Sequence, residues 1–261
     1  MARRQVDRYS KSTMDPNAED YELLLPPEQA GERKVRQEDR LPSEARKGDS
    51  AAMYLALIGA AVFTTVTWVV VLVNHPLTAG WFALHPILQS FSLLLLTYGN
   101  APGILTLQPT SQPKTKAAGL VRHQYAIAFA AFPAIFAGTF AVMFNKYVHG
   151  APHFVSWHAK FGIAAMAWIV VQVLIGGGSV WFGGAAFGGG AKAKALWKYH
   201  RLSGYVLYVF LMLTAHLGGY WSNWGNNHSP SSMRILAFAV ALLACVSGVY
   251  MRIRPSKMKF F

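Results

Sequence analysis

The sequence predicts an all-α integral membrane fold with six transmembrane helices, and three observations carry that prediction. The chain has 261 residues, 53% hydrophobic and only 13% charged, which is too apolar for a water-soluble domain of this size. Six apolar stretches run over 51–73, 82–101, 119–144, 155–180, 197–219 and 233–251, each near the roughly 20 residues that cross hydrocarbon. Charge is also segregated. All 11 acidic residues fall between Asp7 and Asp49, and from Ser50 to Phe261 there are 14 Lys and Arg and no Asp or Glu.

Residues 1–49 are polar, of mixed charge and rich in Glu, Arg, Pro and Gln. They cannot bury enough apolar surface to fold alone and read as a disordered tail. Met1-Ala2-Arg3-Arg4 is not followed by an apolar run, so it does not read as a signal peptide. A transmembrane domain is expected over 50–255, with a short tail over 256–261. The second apolar stretch ends in Tyr98-Gly99-Asn100-Ala101-Pro102-Gly103, a cluster of helix breakers. Between the fourth and fifth, Gly183-Gly184-Ala185-Ala186-Phe187-Gly188-Gly189-Gly190 reads as a flexible loop. One set of connections carries Lys114, Lys116, Arg122, Lys192, Lys194, Lys198, Arg201, Arg252, Arg254, Lys257 and Lys259, and the other only Lys146, Lys160 and Arg234. That asymmetry puts both termini in the cytoplasm.

The composition excludes several chemistries. Without carboxylates after residue 49 the folded part has no Ser-His-Asp triad, no carboxylate-pair hydrolase site and no di-iron carboxylate site. Cys245 is the single cysteine, so there is no internal disulfide, no cysteine-held iron–sulfur cluster and no Cys-x-x-Cys attachment of a haem. The net charge of +13 sits beside apolar stretches, where it serves orientation and anionic lipid; nucleic acid is not expected.

Four of the nine histidines stand out. His85, His123, His158 and His200 lie near the starts of helices two, three, four and five, roughly one turn in. Successive spans are antiparallel, so His85 and His158 share the outer side, and His123 and His200 the cytoplasmic side. Each pair comes from alternate helices of one bundle and can meet across its core. Two facing neutral imidazoles suit a six-coordinate haem iron, which has no open position and serves electron transfer. Gly162 and Gly204 each follow a histidine by four residues, on the same helix face, where a missing side chain would admit a flat macrocycle. Interface histidines and packing glycines are the plainer alternative.

These segments resemble those of a known family. Phe82-Ala83-Leu84-His85-Pro86-Ile87-Leu88-Gln89-Ser90, Arg122-His123-Gln124, Phe154-Val155-Ser156-Trp157-His158-Ala159-Lys160-Phe161-Gly162 and Lys198-Tyr199-His200-Arg201-Leu202-Ser203-Gly204 are similar to the haem-ligand segments of the eukaryotic cytochrome b561 family. The likeness covers about 51–255 and is closest to small members made of the six-helix domain alone. It implies two non-covalent b haems ligated by His85, His158, His123 and His200. It also implies a haem-binding core of helices two to five flanked by one and six, and no catalytic residues beyond the ligands. The implied activity is that of a transmembrane oxidoreductase, an ascorbate-dependent ferrireductase or monodehydroascorbate reductase. Electrons would flow from cytoplasmic ascorbate to ferric iron or monodehydroascorbate on the other side. The chain departs from the pattern in two places. Leu96-Thr97-Tyr98-Gly99-Asn100 lacks the Arg that ends helix two in ascorbate-using members, and Ser156-Trp157-His158-Ala159-Lys160 replaces their Ser-Leu-His-Ser-Trp.

Arg122, Lys198 and Arg201, with Lys114 and Lys116, are the candidate residues for attracting an anionic donor or holding haem propionates; orientation and lipid contact are the alternative. Lys160 could snorkel to an outer propionate. His75, His149, His153 and His228 fall in outer loops and could present an acceptor, whereas His216 reads as packing. Met143, Met166 and Met212 read as core, and the tryptophans at 68, 81, 157, 181, 221 and 224 as interface belts. Glu19-Asp20-Tyr21-Glu22-Leu23-Leu24-Leu25 resembles an acidic dileucine sorting signal, which favours an endomembrane (vacuole, lysosome or ER) over the plasma membrane. Homodimerisation stays open. Two other functions compete: a haem-free transporter or scaffold with Gly-interrupted helices, and a haem relay or sensor without ascorbate turnover.

Overall fold

The computed structural model describes residues 46–106 and 113–258. Every regular element among them is helical. Six helices are long and apolar enough to cross a membrane: α1 (Asp49–Val73), α2 (Trp81–Thr106), α3 (Lys116–Val148), α4 (Trp157–Gly178), α5 (Trp197–Gly219) and α6 (Ser231–Tyr250). Phe129, Phe136, Phe140, Leu174 and Leu243 are exposed on their outer surfaces, as expected where the surrounding solvent is lipid. The tail over 1–45, with its Glu19–Leu25 motif, lies outside the described residues.

An even number of spans brings both ends of the bundle to one face. At this terminal face Arg254, just past α6, pairs with Asp49 at the start of α1 at 2.5 Å. At the distal face the Asn74 amide donates to the His228 carbonyl at 3.0 Å. Asp49 thus opens α1 and is buried, although its polar surroundings in sequence assign it to the tail.

Small residues set the packing of α1 on α6. A Cβ on Gly59 would lie 2.6 Å from the Ala241 carbonyl oxygen, so only glycine permits that approach. The other helices pack as two antiparallel pairs, α2 with α3 and α4 with α5, while α1 also packs on α2 and α6 also touches α5. The buried core draws on all six helices. The buried interior runs through Phe63, Leu93, Ile135, Ile169, Leu211 and Phe238.

Three local features differ from expectation. First, α2 continues through Gly99, Pro102 and Gly103 to Thr106. The apolar span itself ends at Gly99, which sits against α3, where a Cβ would lie 2.8 Å from Ile127 Cδ1. Second, α3 contains a π-helical run, Tyr125–Ala131, immediately before Pro133. Proline has no N–H to give the carbonyl four residues back, and the wider turn absorbs the mismatch. Third, the glycine-rich segment forms a tight turn, Trp181–Phe187, with left-handed Phe182, Gly183 and Gly184, and Gly184 packs on Ser179 and Ala193.

Candidate functional site

Local chemistry explains where the four histidines sit. Ser156 caps α4, its hydroxyl accepting the Ala159 N–H at 3.2 Å, which makes His158 the second helical residue. His85 lies one turn into α2, and His200 one turn into α5. His123 lies deeper in its helix than the apolar pattern suggests, because the helical run begins at Pro113.

The histidines meet in the expected pairs. At the distal face the rings of His85 and His158 have centres 5.8 Å apart and planes at 77°. At the terminal face His123 and His200 have centres 6.3 Å apart and planes at 90°. Two imidazoles bound end-on at about 2 Å from one metal have ring centres separated by roughly 6 Å, so both pairs are spaced for a shared metal.

Hydrogen bonds fix which nitrogen faces inward. His85 Nδ1–H donates to the Gly138 carbonyl of α3 at 3.0 Å, and His158 Nδ1–H donates to the Thr214 carbonyl of α5 at 2.9 Å. A carbonyl only accepts, so Nδ1 carries the proton and Nε2 keeps its lone pair for a ligand. His200 Nδ1 lies 2.7 Å from one end of the Gln172 amide on α4, whose other end is 3.1 Å from the Gly204 nitrogen. His123 Nδ1 faces the Gly99 carbonyl of α2 but is buried without a hydrogen bond of good geometry. Within each helix pair, then, the histidine of one helix leans on the backbone or amide of the other.

The glycines decide between packing and a ligand cradle. A Cβ on Gly162 would meet nothing closer than Thr214 Cγ2 at 4.0 Å, and one on Gly204 nothing closer than Gln172 Oε1 at 4.0 Å. Unlike Gly59, these positions are not needed for helix approach. Each could take a Cβ without a clash one turn from His158 and His200, and Gly162 lines a cavity. Two glycines with a different role were not legible from spacing: a Cβ on Gly218 would lie 2.7 Å from His158 Cε1, and one on Gly176 2.8 Å from His200 Cε1. They give the imidazole rings room, and the only sign of them in sequence is that both fall in glycine runs inside apolar helices.

A cavity of about 300 Å³ opens beside His85, His158 and Gly162. Its walls are largely apolar, including Phe63, Leu93, Met143, Met166 and Phe238. The donor set and this apolar chamber fit a b haem. Lys146 and His153 line the cavity, with Lys146 Nζ donating to the Pro152 carbonyl at 2.8 Å. Lys160 does not: it is exposed and its ammonium lies 4.9 Å over the Trp157 ring. Trp224 faces the cavity rather than forming part of a belt. Of the outer-loop histidines, His149 and His228 bond carbonyls of their own helices, and His75 caps a short turn. His216 uses both nitrogens, with the Phe238 carbonyl at 2.6 Å and Trp221 Nε1 at 2.9 Å, which makes it packing.

At the terminal face Arg122, Lys198 and Arg201 flank His123 and His200 in sequence, near the starts of α3 and α5. The Lys198 ammonium lies 5.2 Å over the Tyr199 ring, and Lys116 is buried.

A family model described as eukaryotic cytochrome b561 matches residues 84–225, more than half of the chain and all four paired histidines. No curated protein matches the chain.

Proposed function

Because the chain belongs to the eukaryotic cytochrome b561 family, integral multi-pass membrane oxidoreductases that bind haem b and carry electrons across the membrane, we propose that it holds two haems b, one between His85 and His158 and one between His123 and His200. Its reaction on this reading is electron transfer from ascorbate on the cytoplasmic side to an acceptor such as ferric iron or monodehydroascorbate on the other. The observation that carries the reading is the opposition of two histidine pairs at opposite faces, the distal one beside an apolar cavity lined by Gly162.

A bound haem b supplies a one-electron ferric/ferrous couple, and two imidazole ligands leave it no open coordination site. The chain's own residues supply the rest. The carbonyls of Gly138 and Thr214 hold His85 and His158 in the tautomer that presents Nε2. The apolar walls around the distal pair keep water away. The excess of Lys and Arg on the terminal-side connections, eleven against three, orients that face to the cytoplasm. There Arg122, Lys198 and Arg201 would draw in ascorbate, an anion at neutral pH. The Glu19–Leu25 motif supports an endomembrane location.

The test is stopped-flow reduction of the purified haem-loaded protein by ascorbate. Arg201→Ala and Arg122→Ala should each slow the second-order rate roughly threefold at low salt without loss of haem, and the difference should shrink as salt rises. Unchanged rates with intact haem would return these arginines to orientation and lipid contact. A protein that dithionite reduces but ascorbate does not would remove ascorbate as donor.

A further inference from the structure

Just beyond α6 the chain carries a buried cation whose hydrogen-bond donors are unmet, with Asp49 as the opposing charge that acts on it. Arg252 is 1% exposed, and its Nε, Nη1 and Nη2 have no hydrogen-bond partner among the described residues. Asp49 is the one acidic residue among the described residues, and it is already engaged. Arg254 Nη2 is 2.5 Å from its Oδ2, and Arg46 Nη2 is 3.8 Å from its Oδ1. The carbonyls flanking Arg252 are also taken, because Arg46 donates to Met251 O at 2.8 Å and to Ile253 O at 3.3 Å.

A second buried donor lies near Arg254, which is also a neighbour of Arg252. The Tyr205 hydroxyl on α5 has no partner. Its residue is tied to the end of α6 through Tyr250, whose hydroxyl donates to the Tyr205 carbonyl at 3.1 Å and whose ring centre is 6.3 Å from that of Tyr205. The segment Pro255–Met258 packs against α5 and closes the corner.

An unpaired guanidinium out of water is costly, and so is an unpaired hydroxyl. Burial pushes the Arg252 guanidinium down to about 10, so it stays charged at neutral pH. Both orphan groups can donate, which calls for a partner that is negative and rich in acceptors. The planar fork of arginine matches the oxygens of a phosphate group. Arg252 lies two residues past the end of the α6 span at Tyr250, toward the level where headgroup phosphates sit.

We propose that the corner formed by Arg252, Tyr205 and the Asp49–Arg254 pair binds a phosphate group, carried by a lipid headgroup or by a soluble phosphate. The site is separate from the histidine pairs, and its test does not depend on them.

The full chain purified in detergent is unfolded thermally, with haem absorbance and helical circular dichroism as checks of the fold. One arm titrates sodium phosphate against sodium chloride at constant ionic strength. The other adds dioleoyl phosphatidic acid to the micelles, with dioleoylglycerol as the phosphate-free control. At about ten times its dissociation constant the bound group should raise Tm by roughly 3–6 °C, and the arm that responds names the source. Arg252→Met should abolish the shift, and Tyr205→Phe should reduce it. No shift in the native protein in either arm, or an equal shift in Arg252→Met, overturns the site. Should Arg252→Met not fold, Arg252→Lys keeps the charge without the fork; an undiminished shift in both Arg252→Lys and Tyr205→Phe overturns it equally.

Discussion

The ring of His158 rests on the backbone of Gly218: a Cβ there would lie 2.7 Å from both Cε1 and Nδ1 of the imidazole. The same ring donates Nδ1–H to the Thr214 carbonyl one helical turn earlier on α5, so α5 fixes both the position and the tautomer of a histidine that α4 carries. Gly218→Ala therefore tilts the imidazole away from His85. Haem affinity at the distal pair should fall roughly 10–100-fold, the usual cost of disturbing a ligand's support, while the terminal pair keeps its haem. Absorbance after gel filtration at low protein concentration checks this.

Gly162 and Gly204 make a sharper distinction. If each is a cradle, Gly162→Leu and Gly204→Leu should each release one haem, about half of the haem absorbance, and leave helix content unchanged. Gly59→Leu is the contrasting case, since a side chain there collides with the Ala241 carbonyl; it should lower the yield of folded protein and both haems together.

The Asp49–Arg254 pair joins the two ends of the bundle. Asp49 is 4% exposed and Arg254 13%, so replacing the carboxylate removes an ion pair set in a largely dry place. Asp49→Asn should cost about 1–3 kcal/mol and lower Tm by roughly 3–10 °C. Arg254→Met in the Asp49→Asn background should add little further loss, because the two changes share one interaction. Additive losses would mean that the residues act separately.

The six spans were legible because length and hydropathy alone determine what crosses hydrocarbon, and the paired histidines were legible because span parity dictates which helix starts share a face. What supports the histidines was not. Gly138, Thr214, Gln172, Gly176 and Gly218 meet their histidines across helix boundaries, 24 to 60 residues away in sequence, and no periodicity within one helix records such contacts. The apolar span of α2 ends at Gly99, close to where the breaker cluster puts it, although the helix itself continues to Thr106. The cavity positions of Lys146 and Trp224, and the burial of Asp49, depend on loop paths and end contacts that composition does not encode.

The central claim is that two separate histidine pairs each hold one non-covalent haem, and the haem-to-protein ratio of the purified chain tests it most directly. Pyridine haemochrome analysis against protein measured by amino-acid quantitation should give a ratio near two. A ratio near one in well-folded, haem-saturated protein would contradict the account, because it would leave one of the two opposed histidine pairs without a ligand.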